Sequence, residues 1–84
     1  MNQIEMAEIA KAHWRQYHPE AYKELKENGT LDKEANACAN LTQQEMDVLM
    51  ATYGMSSLEA WMESRELFCL KDPLDIWNQK TPKR

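Results

Sequence analysis

Apolar residues along this chain recur at three- and four-residue steps, and no stretch alternates apolar with polar positions over the length of a strand. That is the period of a helix. Ala7, Ala10, Trp14 and Tyr17, with Met6 beside them, form one apolar stripe and predict a first helix from about Gln3 to Tyr17. Pro19 forces a boundary, because the residue before a proline avoids the helical region, and it suits the first position of a new helix. The second helix runs from Pro19 to about Glu27, turns Ala21, Tyr22 and Leu25 inward, and stops at Asn28-Gly29. Thr30 is placed to cap a third helix, with Asp32 in its first turn.

Leu31, Ala35, Cys38, Thr42, Met46, Leu49 and Tyr53 then keep a single phase over about six turns. A rival break lies within them. Leu41 to Met46 has the form of a hydrophobic staple and capping box, with Thr42 starting a new helix at Gln43. The unbroken phase favours one continuous helix, ended by Gly54. Ser56 and Glu59 form a capping box for a fourth helix, from about Ser57 to Leu70, with Leu58, Trp61, Met62, Phe68 and Cys69 on its apolar side. Asp72-Pro73 caps one short further turn that holds Leu74, Ile76 and Trp77. The tail from Gln79 to Arg84 is polar and basic and is expected to be disordered. The predicted fold class is all-α. It is a small bundle of four main helices over residues 1–78, with a long central third helix and a short C-terminal helical turn.

The chain has 84 residues, which is one domain with a core of limited size. Dimerisation would add to such a core. The net charge of −4 is unevenly placed. Lys80, Lys83 and Arg84 fall in the last five residues, and between Lys33 and Arg65 there is no Lys or Arg. That interval holds Glu34, Glu45, Asp47, Glu59 and Glu63. A surface of this sign repels phosphate backbones and favours basic partners. Its ordinary role is a solvated face that keeps a protein dispersed.

Candidate chemistry is sparse. Cys38 and Cys69 lie far apart in no metal-type pair, which suits reduced, buried thiols in a cytoplasmic protein. His13 and His18 complete a numerical set of two cysteines and two histidines, but their spacing across Pro19 does not suit zinc. Ser56 and Ser57 are accounted for by capping. No catalytic residue, cofactor or metal is expected. No apolar run is long enough for a membrane span, and the first residues do not read as a signal peptide. Residues 46 to 65 have a helix–turn–helix outline, but the would-be reading helix carries Glu59, Glu63 and Glu66 against Arg65 alone, the wrong sign for DNA. Trp61 is expected in the core, and Trp77, near the end of the chain, is the best candidate for a partner contact.

One resemblance stands beside this reading. His18-Pro19, Tyr22, Leu25 and Asn28-Gly29-Thr30-Leu31, followed by Gly54-Met55 and Glu59-Ala60-Trp61, resemble two blocks of small helical accessory proteins of phages and conjugative transposons, the TnpV-like proteins among them. The likeness covers roughly residues 13–70. It implies a mobile-element origin and brings no catalytic residues. By analogy it suggests a small acidic protein that inhibits host machinery, such as a CRISPR nuclease, by direct binding. The expected function is therefore a non-enzymatic module that binds a host protein with a basic surface. Its contacts would be Glu34, Glu45, Asp47, Glu59, Glu63 and Trp77, with no nucleic acid or membrane partner. The alternatives are a helix–turn–helix DNA-binding regulator and an oligomeric virion assembly factor.

Overall fold

The computed structural model of the protein describes residues 2–71 and residue 73. Punctuation in the sequence becomes four helices among the described residues: α1 (Gln3–Tyr17), α2 (Pro19–Asn28), α3 (Leu31–Tyr53) and α4 (Ser57–Ser64). There is no strand among the described residues. Asn2 caps α1 through a box: its side chain accepts the Glu5 N–H at 2.8 Å, and Glu5 accepts the Asn2 N–H at 3.1 Å. His18 closes α1 and opens α2 through its backbone alone, its N–H donating to the Trp14 carbonyl and its carbonyl accepting from Tyr22. Gly29 adopts φ 75°, a left-handed conformation that a side chain would strain, and Thr30 N–H reaches back to the Leu25 carbonyl at 2.9 Å. Thr30 itself makes no side-chain cap, contrary to expectation: its backbone, at φ −112° and ψ 6°, lacks the extended conformation from which a capping side chain reaches the first helical N–H groups. Gly54, at φ 68°, ends α3 in the same left-handed way.

α3 is one helix of 23 residues. Thr42 does not begin a new one: its hydroxyl donates to the Cys38 carbonyl one turn back at 2.8 Å and meets the Cys69 thiol at 3.2 Å. α1 runs antiparallel to α3, since Lys11 pairs with Asp32 near the start of α3 while Cys69 bridges Met6 and Thr42 further along it. Small side chains line this crossing. Ala7, Ala10, Ala35, Cys38 and Ala39 are all buried, which lets the two backbones approach closely. Trp14, Met6 and Met46 fill the space around them. α2 packs against α1 and α3 through Ala21 and Leu25, and α4 packs on α3.

The apolar seam is shorter than its sequence pattern. Tyr17 and Tyr53 continue the stripes of α1 and α3 but are exposed, because each stands on the last residue of its helix. α4 also departs from expectation, ending at Ser64 instead of near Leu70. At about 100° per residue, a helix continued to Cys69 would put that thiol on the solvent side with Leu58 and Met62. Instead the chain tightens into turns, with Leu67 N–H bonded to Ser64, Leu70 to Arg65 and Lys71 to Phe68, and Cys69 enters the core fully buried. The segment is strapped to α1 by Trp14, whose indole N–H donates to the Lys71 carbonyl at 2.8 Å. Pro73 is buried beyond it. The expected turn bearing Leu74, Ile76 and Trp77, and the basic tail, lie outside the described residues.

Candidate interaction surface

Helical phase decides which of the candidate acidic residues can act together. Glu45 and Asp47 are two positions apart on α3, so they point to nearly opposite sides of it. Glu34 shares the Glu45 side but is only 9% exposed, too covered to meet a partner. Asp47 is exposed and accepts a hydrogen bond from the Gln43 amide at 2.9 Å. The five carboxylates therefore form no single face. Glu59 and Glu63 do share one, four residues apart on the exposed side of α4. Glu59 is half committed, since its carboxylate accepts the Ser56 N–H at 2.9 Å in the capping box. Glu63, and Glu66 just past the helix, are exposed and carry no hydrogen bond or ion pair among the described residues. Trp77 lies outside the described residues.

The same phase overturns an expectation about α4. Its buried positions are Ala60, Trp61 and Ser64. Leu58 and Met62, expected to face inward, are 66% and 50% exposed. They sit about a quarter-turn around from Trp61, on the side toward Glu59. Tyr53, on the last turn of α3, is 70% exposed. This end of the molecule thus combines open apolar side chains with uncompensated carboxylates. Arg65, half-buried on the core side of the Leu58–Met62 strip, is the single cation between Lys33 and Lys71. The apolar strip was legible in principle: Ala60, Trp61 and Ser64 claim one side of an eight-residue helix, and Leu58 and Met62 cannot share it.

Elsewhere the chemistry is structural. A surface groove of about 250 Å³ lies between α1, α2 and the start of α3, lined by Glu8, Lys11, Ala12, Arg15, Tyr22 and Leu31. Its Lys11 ammonium is held by Asp32 at 2.8 Å and Glu8 at 2.9 Å, and those two carboxylates raise its pKa, Asp32 more than Glu8. Cys38 and Cys69 are buried and form no disulfide. Burial pushes the Cys69 thiol up, partly offset by the Thr42 hydroxyl, so it is a poor nucleophile. His13 and His18 approach ring to ring at 5.7 Å, but no group of three or more metal-ligating side chains occurs among the described residues. Among them, too, no helix is long and apolar enough to cross a membrane. Comparison with known proteins finds no matching family model, no matching curated protein and no matching solved structure.

Proposed function

We propose that this protein is a non-enzymatic binding module that engages a basic surface on another protein through the acidic outer side of α4. The observation that carries the reading is the pair of exposed carboxylates Glu63 and Glu66, without internal partners among the described residues, on a stretch whose one cation is Arg65. Unneutralised charge of one sign steers association with the opposite sign. The contact set is narrower than sequence alone suggests: Glu59 and Glu63 remain, joined by Glu66, while Asp47 is peripheral and Glu34 is covered. The likeness to accessory proteins of phages and transposons supports a host protein, of the CRISPR-nuclease kind, as the target class.

The DNA-binding alternative has the outline it needs, α3–Gly54–α4, but its second helix presents Glu59 and Glu63 outward. That helix would add repulsion at the duplex instead of releasing counterions. Two measurements test the proposal. A gel shift against mixed duplex DNA at physiological salt should show no complex. Affinity capture from a bacterial lysate should yield partners that elute with rising salt and are lost from the Glu63→Lys/Glu66→Lys variant. A stable DNA complex, or a captured set indifferent to that variant, would remove the reading.

A further inference from the structure

We infer that the outer side of α4 docks a cationic amphipathic helix, with Leu58 and Met62 receiving its apolar side chains and Glu63 and Glu66 its Lys or Arg. This rests on the binding function proposed above and adds the conformation and chemistry of the partner. Leu58 and Met62 are four residues apart on one side of α4 and open to solvent. Neighbouring side chains at that spacing form the ridge that a second helix accepts between its own. Beside the ridge runs an edge of two carboxylates, Glu59 and Glu63, with Glu66 exposed just past the end of the helix. Apolar ridge and acidic edge together complement a helix that is apolar along one side and basic along the next.

Backbone chemistry selects a helix over an extended peptide. The amides and carbonyls of α3 and α4 are committed to their own helices, so this surface offers an incoming strand no edge to pair with. A chain docking here must satisfy its own backbone, as a helix does. Charge disfavours two other occupants. A second copy presenting the same strip would set Glu59, Glu63 and Glu66 against their own kind, and an anionic lipid surface meets the same repulsion. Met62 also suits an apolar contact that must adapt to varied side chains, being unbranched and polarizable.

The test uses the full chain and two labelled 18-residue peptides of identical Leu/Lys composition. One is arranged as an amphipathic helix and the other scrambled so that no apolar side forms. Fluorescence anisotropy at 50 and 150 mM salt should show the amphipathic peptide binding about tenfold more tightly than the scrambled one, a difference of about 1.4 kcal/mol. Leu58→Ser/Met62→Ser, whose far-UV circular dichroism should match the wild type because both residues are exposed, should erase that tenfold ratio. Glu63→Lys/Glu66→Lys should weaken both peptides alike. Equal binding of the two peptides, with dependence on the carboxylates retained, overturns the helix inference and leaves the acidic-side function standing. Binding indifferent to Glu63 and Glu66 overturns both. A wild-type dimer in sedimentation that Leu58→Ser/Met62→Ser dissociates overturns the inference in favour of self-association.

Discussion

Replacing Trp14 with phenylalanine should cost about 3 kcal/mol and loosen one segment ahead of the rest. Trp14 is the largest fully buried side chain among the described residues, and its indole N–H donates to the Lys71 carbonyl, 57 residues away in sequence, at 2.8 Å. Phenylalanine has no donor there, and losing a partly buried hydrogen bond costs about 1 kcal/mol. The smaller ring leaves roughly 40 Å³ that neighbours cannot fill, worth about 1 kcal/mol at about 24 cal/mol per Å³. Lost transfer of apolar surface adds about 1 kcal/mol. A domain this small is stable by about 4–13 kcal/mol in total, and each kcal/mol moves the Tm by about 4–8 °C. Thermal unfolding followed by circular dichroism should therefore fall by about 12–24 °C. The location of the damage is the sharper test. The Leu67, Leu70 and Lys71 amides, bonded within the strapped turns, should gain hydrogen exchange before the amides of α2 do. A Tm shift below about 4 °C, or exchange that rises evenly across the chain, would refute the idea that this one side chain fastens residues 65–71 to α1.

Three further outcomes follow from the same geometry. Gly54→Ala, which meets no steric neighbour but must hold φ 68°, should cost about 1 kcal/mol in urea unfolding, and Gly54→Asn distinctly less; an equal cost for both would dismiss left-handed strain as the cause. Thr42→Val, which keeps the shape and removes the hydroxyl shared by the Cys38 carbonyl and Cys69 thiol, should cost about 1 kcal/mol in the same assay, and a stabilised variant would contradict the account of that contact. His13 has its pKa lowered by burial and then by His18, against a hydrogen bond to the Leu70 backbone carbonyl that raises it. Folding therefore favours the neutral ring, so its contribution to stability is complete above the unfolded value of about 6.5 and declines as pH falls through the lower folded value. Wild type should lose more Tm than His13→Gln between pH 7.5 and 5.5, and parallel losses would show that His13 is not the titrating group.

The fold class was legible because its punctuation is chemical. Pro19, Gly29, Gly54 and the Ser56–Glu59 box each act within a few residues of their own position, so the ends of α1 and α2, both ends of α3 and the start of α4 follow from local rules. The end of α4 did not follow, because the force that ends it is not local. Burying Cys69 against Met6 and Thr42 outweighs continued helical pairing after Ser64, and those contacts span 63 and 27 residues. Apolar character also misled where helices run past their partners. Tyr17 and Tyr53 are in phase with buried residues and still lie in solvent. For the surface, counting carboxylates between Lys33 and Arg65 suggested one acidic face, but two residues of spacing set Glu45 and Asp47 on opposite sides of α3, and burial removes Glu34. Sequence gives the sign of a surface more readily than its shape.

The size of the core bears on why α4 is the end left open. Four of the five small buried residues between α1 and α3 are alanines, and close backbone approach there fixes those two helices with little side-chain volume. α4 has eight residues, far fewer than the roughly 12–15 at which an isolated helix begins to hold in water. Its capping box and Trp61, 6% exposed, must supply most of its stability. Trp61 therefore acts from beneath the surface, orienting Leu58 and Met62, and is not itself available as a partner's anchor. With Trp61 turned inward on so short a helix, the core side is full, and Leu58 and Met62 have nowhere to go but outward. The apolar strip is a consequence of how α4 is held, and the carboxylates beside it determine what can cover it.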